Sequence, residues 1–144
     1  MKLKKEIKIL IAADGGAASG KTTAAKLVSK KYGLHFLSSG LLYRYMSFKL
    51  LKNKNLINQN SYLKKIVLGI SLSKLKNKKL LYHNVTRYSA EIAKIKKIRM
   101  MLRNFQKKFA NKNHVCIEGR DIGSVICPKA DIKLFFKCNL KIRA

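Results

Sequence analysis

The chain has 144 residues, with 33 Lys+Arg against 6 Asp+Glu and a formal charge of +27. That length suits one domain with a real core, and the charge favours polyanions through nonspecific, salt-sensitive adhesion to nucleic acid. The cations are spread along the whole chain rather than gathered in a block, and no run approaches the roughly 20 apolar residues of a membrane span, so neither a dedicated basic patch nor a transmembrane segment is expected.

The first element is an apolar strand through Ile7, Ile9, Leu10 and Ile11, too short for a signal peptide and leading straight into Asp14-Gly15. Gly15-Gly16-Ala17-Ala18-Ser19-Gly20-Lys21-Thr22 fits G-x-x-x-x-G-K-[ST] at every defined position. Small residues let the backbone wrap a phosphate, so that successive N–H groups and the N-terminus of the next helix point at negative charge. Lys21 then reaches the outer phosphates and the Thr22 hydroxyl ligates Mg²⁺. Gly15 through Thr23 are therefore the candidate residues for a nucleoside triphosphate.

Thr22–Lys31 is expected to be helical with Ala24, Ala25, Leu27 and Val28 inward, and Gly33 stops it. Leu34–Leu37 reads as a second strand, Ser38-Ser39-Gly40 as a turn with Ser39 capping the next helix, and Leu41 to about Lys52 as that helix, with Leu42, Tyr45, Met46 and Leu50 inward. Across Asn53–Asn84 the short apolar runs suggest a small insert, helical and then hairpin-like. One long helix is expected from about Thr86 to Asn111, on the spacing of Ile92, Ile95, Ile98 (or Arg99), Leu102, Phe105 and Phe109. His114–Glu118 reads as a third strand and Ile132–Cys138 as a fourth, with Pro128 in the loop between them. Strands alternating with helices predict an α/β parallel sheet flanked by helices, with ligands at its carboxyl edge.

Cys116, Cys127 and Cys138 form no C-x-x-C pair and have no zinc spacing; they read as core residues of a reduced, cytoplasmic protein. Three of the six acids, Asp14, Glu118 and Asp121, fall at the two motifs where phosphate chemistry is expected.

Four separated matches now carry a resemblance: the Asp14–Thr23 loop, Leu37-Ser38-Ser39-Gly40-Leu41-Leu42-Tyr43-Arg44, the helix with Arg99, Gln106 and Phe109, and Glu118-Gly119-Arg120-Asp121-Ile122-Gly123-Ser124-Val125 followed by Pro128-Lys129-Ala130-Asp131. The chain resembles bacterial cytidylate (CMP) kinases, of the nucleoside monophosphate kinase family of P-loop kinases. The resemblance implies one kinase domain, with a core at 1–52 and 86–144 and a monophosphate-binding insert at about 53–85. It implies a monomeric, cytoplasmic phosphotransferase acting on ATP, CMP and dCMP, with Mg²⁺. A phosphate acceptor needs no general base, because a phosphomonoester's second pKa is about 6; cations and in-line positioning suffice. By similarity Lys21, Arg120 and Asp121 are catalytic, Arg44 and Arg120 clamp the acceptor phosphate, and Ser39 and Arg99 contact the cytosine.

The chain departs from the family pattern in three places. Gly16 stands for the usual proline and Ala18 for the usual glycine. Ser38 replaces a common aspartate, and a base-site serine aligns with Ala90, beside Ser89. Family members also continue past Ala144 with an arginine-rich lid and further elements, so a C-terminally short member is expected, in which phosphate binding outlasts turnover. The alternative from another class is a weak or inactive remnant acting as a basic nucleotide- or RNA-binding protein.

Overall fold

A computed structural model of the chain describes residues 8–17, 19–112 and 114–138. The chain divides into two compact units, Met1–Ser39 with Gln106–Ala144, and Gly40–Phe105.

The first unit is built on a four-stranded parallel sheet in the order β2-β3-β1-β4. Its strands are β1 (Leu10–Gly15), β2 (His35–Ser38), β3 (Val115–Gly119) and β4 (Ile132–Phe136). The α/β parallel sheet expected from the alternation of elements is therefore present. β3 is buried along its whole length and β1 from Ile11 onward, as strands covered on both faces must be. The register aligns Asp14 with Gly119, Ser38 with Glu118 and Gly15 with Phe136, so the carboxyl ends of all four strands meet at one edge.

Helix α1 (Lys21–Tyr32) packs Ala25 against Ile11, Ala13, Leu34 and Cys116, with Val28, Tyr32, Phe36, Leu134 and Phe136 around them. Leu27, expected inward, is 64% exposed. The helical phase set by Ala25 and Ser29, both buried, leaves Leu27 on the outer side. Gly33 closes α1 in the left-handed region at φ 69, with its N–H and that of Leu34 both donated to the Ser29 carbonyl. At the opposite edge of the sheet from the loops, His114 precedes β3 at φ 57, the one non-glycine residue with positive φ among those described.

Helix α2 (Ser39–Leu50) follows β2 without a connecting residue, so the expected turn at Ser38–Gly40 is absent: Ser38 ends the strand and Ser39 opens the helix. In the second unit α2 continues with Leu42, Tyr45, Met46 and Leu50 buried as its spacing predicts. It is joined there by α3 (Asn60–Leu68), α4 (His83–Ile92) and the start of α5 (Lys96–Phe109). The expected hairpin is replaced by short 3-10 turns at Lys74–Lys76 and Lys78–Leu81, each burying a single leucine, Leu75 and Leu80. One apolar anchor per turn leaves no alternating face for a strand to bury. The single long helix expected over 86–111 is two helices. The chain tightens at Ala93–Ile95, where Lys94 N–H bonds the Glu91 carbonyl and Ile95 N–H the Ile92 carbonyl, which resets the phase so that Ile92 and Ile98 are both fully buried. Ser47 Oγ ties α2 to α4 by donating to the Val85 carbonyl at 2.8 Å, and the hydroxyl of Tyr45 reaches the Gly69 carbonyl after α3 at 3.3 Å.

Cys116 and Cys127 are buried free thiols, as a core reading requires, and Cys138 is half-buried just beyond β4. No described helix is long and apolar enough to cross a membrane.

Candidate phosphate-transfer site

The loop between β1 and α1 starts where the strands crowd one another. A Cβ on Gly15 would lie 2.6 Å from the Phe136 carbonyl of β4 and 2.9 Å from Ser19 Oγ, so only glycine fits. Gly20 sits at φ 82, ψ 4 and turns the chain into α1, whose first three residues are Lys21, Thr22 and Thr23. This left-handed turn costs glycine little, and it aims the free N–H groups of the first turn back over the loop. Gly16 and Ala17 lie along the loop, whereas Ala18 is outside the described residues. Ser19 Oγ is buried and has no hydrogen-bond partner among the described residues. An orphaned buried hydroxyl in the loop just ahead of α1 fits a phosphate-bearing ligand.

Lys21 Nζ folds back to donate to the Gly16 carbonyl at 3.3 Å and stands 4.0 Å from Glu118 Oε2. Glu118 Oε1 accepts from Thr22 Oγ1 at 3.2 Å and from Ser38 Oγ at 2.5 Å. Glu118 is 4% exposed; a buried charge of this kind persists only with such partners. Hydroxyl and carboxylate oxygens side by side are hard donors of the kind that suit Mg²⁺.

Asp14 takes a part that its position beside the loop does not announce. Its Oδ1 accepts from the Ile122 N–H and its Oδ2 from the Gly123 N–H, both at 2.7 Å. These donors open a single π turn at Ile122–Ile126, in which Cys127 N–H reaches back to the Ile122 carbonyl and Ile126 N–H to the Asp121 carbonyl. Asp14 thereby holds the segment that begins with Arg120 and Asp121. Arg120 is exposed and Asp121 half-buried. A Cβ on Gly119 would meet Ile122 Cδ1 at 2.9 Å and Ser39 Cβ at 3.1 Å, so β3 needs glycine to pass the buried Ser39.

The sheet unit thus brings together the described loop residues, Ser39, Arg120 and Asp121 from among the residues expected from sequence. Arg44 and Arg99 lie in the second unit, each half-buried, on the second turn of α2 and the first of α5. Arg99 Nε is buried without a hydrogen-bond partner among the described residues, a donor left for a ligand edge. Glu118 and Ser38 are missing from the expected set. The scarcity of acids pointed at Glu118, but its partners are 80 and 96 residues away in sequence, and only the register reveals them.

Comparison with known proteins adds a family. A protein-family model described as cytidylate kinase matches residues 11–144. Curated relatives named cytidylate kinase include those of Clostridium tetani (38% identical, covering 96% of this chain and 66% of the relative), Acidiphilium cryptum (35%, 94% and 64%) and Fusobacterium nucleatum (32%, 94% and 67%). The chain spans about two thirds of the length of these relatives.

Proposed function

The chain belongs to the cytidylate kinase family, and from that premise we propose that it transfers the terminal phosphoryl group of ATP to CMP or dCMP, giving ADP and CDP or dCDP. The observation that carries this reading is the convergence of a lysine- and threonine-headed phosphate loop with the Glu118-Gly119-Arg120-Asp121 segment at one edge of the sheet.

In this reading Gly15, Gly16, Ala17, Ala18, Ser19, Gly20 and Thr23 wrap the donor phosphates. Lys21 leaves the Gly16 carbonyl to meet their outer oxygens. The Thr22 hydroxyl would hold Mg²⁺, which would supply charge neutralisation for the donor phosphates. Arg120 and Arg44 bind the acceptor phosphate with planar forks that match its oxygens, and Asp121 orients Arg120. Ser39 and Arg99 read the cytosine. No residue need remove a proton, since the acceptor oxygen is already largely ionised near neutral pH; the protein's task is to hold two repelling polyanions in line. We place the reaction in the cytoplasm and expect a monomer, with nucleic acid bound only nonspecifically.

Coupled ADP production by the purified chain, with ATP, Mg²⁺ and CMP, tests the reading alongside Lys21→Ala. CMP-dependent turnover that falls by on the order of 10²–10³-fold in the variant is the expected result. A folded chain that makes no ADP with any of CMP, dCMP, UMP or AMP overturns it.

A further inference from the structure

We infer that Asp14 is a positioning residue for the transfer proposed above, fixing the base of Arg120 relative to the phosphate loop. The inference rests on that reading for what Arg120 does and on the structure for how Arg120 is held. Arg120 and Asp121 are the two residues between Gly119 and Ile122, and both ends of this short arc come back to Asp14. At one end, Gly119 is the partner of Asp14 in the parallel pairing of β1 with β3. At the other, the Ile122 and Gly123 N–H groups donate to the two carboxylate oxygens of Asp14, each at 2.7 Å.

The arc is tightly closed. Ile122 is fully buried and folds back on Gly119, where a Cβ would stand 2.9 Å from Ile122 Cδ1. A Cβ on Gly123 would stand 3.2 Å from Asp14 Oδ2, so that donor also comes close because it carries no side chain. Arg120 is exposed on this arc, a long side chain on a fixed base. Asp14 is joined by one peptide bond to Gly15, the first residue of the phosphate loop. One residue therefore sets the spacing between the loop that takes the donor phosphates and the base of the arginine that meets the acceptor. A carboxylate suits the task because it offers two acceptor oxygens to two successive N–H groups. Both oxygens are spent on backbone, so what Asp14 supplies is placement. In-line transfer tolerates little error, since a displacement of about 1 Å costs on the order of 10²-fold in rate.

A double-mutant cycle in the full chain, read by steady-state kinetics, separates placement from stability. Asp14→Asn, assayed at a temperature where circular dichroism shows it folded, should lose on the order of 10²-fold in kcat/KM for CMP. Its affinity for a non-hydrolysable ATP analogue, measured by calorimetry, should stay near the wild-type value. Arg120→Ala should be slowed at least as much. Adding Asp14→Asn to Arg120→Ala should slow it hardly further, because Asp14 acts through that arginine. Gly123→Ala keeps the carboxylate but crowds it, and should show a smaller loss that likewise fails to multiply with Arg120→Ala; it takes the place of Asp14→Asn if that variant does not fold. Losses that multiply in the double variant, or wild-type kcat/KM in folded Asp14→Asn (in Gly123→Ala if the former does not fold), overturn the positioning role and leave the kinase reading intact. A folded wild-type chain that makes no ADP overturns the kinase reading itself, and the positioning role with it.

Discussion

Asp14 and Gly123 are 109 residues apart in sequence and joined by a 2.7 Å hydrogen bond, from the Gly123 N–H to Asp14 Oδ2. With the Ile122 N–H on Oδ1, both carboxylate oxygens are acceptors for buried backbone. Asp14→Ala should cost about 2–4 kcal/mol, because two buried N–H groups lose their acceptor. Asp14→Asn should be nearly as damaging, since an amide offers one oxygen where two are required. Urea denaturation of both variants checks this, and an Asn variant as stable as wild type would contradict it.

Gly20 has φ 82, and a methyl group placed on its Cα would meet nothing within 4 Å. Gly20→Ala therefore isolates backbone strain from crowding, and roughly 1–2 kcal/mol is expected. Thermal melts should show that loss, together with weaker ATP binding as the first turn of α1 relaxes away from its left-handed entry.

Ile98 is fully buried and Met100 is 52% exposed, two residues apart on α5. Ile98→Ala should cost about 2–5 kcal/mol, whereas Met100→Ala should stay within about 0.5 kcal/mol. Equal losses in chemical denaturation would mean that the helix is phased differently after Ala93.

Burial pushes the Cys116 and Cys127 thiols above their ordinary value of 9.0, with Glu118 adding to the rise at Cys116; Lys107 opposes it at Cys127 and Asp14 adds to it. The fold therefore favours the neutral thiols. Their contribution to stability is fully present below the unfolded thiol value and is lost as pH climbs past it, because the unfolded chain ionises first. Stability should fall above about pH 9, and iodoacetamide at pH 8 should modify both residues far more slowly in the folded chain than in urea. Fast labelling of either thiol without unfolding would refute this.

Arg99→Gln and Lys21→Ala should separate binding from chemistry. With the proposed role of Arg99 at the cytosine, its loss should raise KM for CMP with a smaller change in kcat, whereas loss of the Lys21 charge should cut kcat by on the order of 10²–10³-fold. Steady-state kinetics with CMP varied at saturating ATP distinguishes the two patterns, and chelation of Mg²⁺ should abolish turnover in every variant.

The features legible in the sequence were those set by local chemistry. The phosphate-loop spacing of Gly15, Gly20, Lys21 and Thr22 and the helix stop at Gly33 read from their neighbours alone, whereas the crowding of Gly15 by Phe136 did not. The parallel sheet followed from alternation. The break between α4 and α5 did not, because Ile92, Ile95 and Ile98 keep a helix-like spacing through Ala93–Ile95 with no glycine or proline to interrupt it. Leu27 misled for the opposite reason: an apolar residue in an Ala- and Lys-rich helix suggests a face, and only packing decides which one. The partners of Asp14 and Glu118 were beyond reach, since each is met through strand register rather than through nearby sequence.

The left-handed His114 at the far edge of the sheet offers an engineering handle. Its backbone sits at φ 57, and its two buried ring nitrogens have no hydrogen-bond partner among the described residues. Both features stand at the start of β3, one strand length from the carboxyl edge of the sheet where the phosphate loop follows β1. Evolution toward a hardier protein therefore has a position where strain can be released away from the phosphate loop. Asparagine, which tolerates this conformation better, is the substitution that a selection for thermal resistance should recover first.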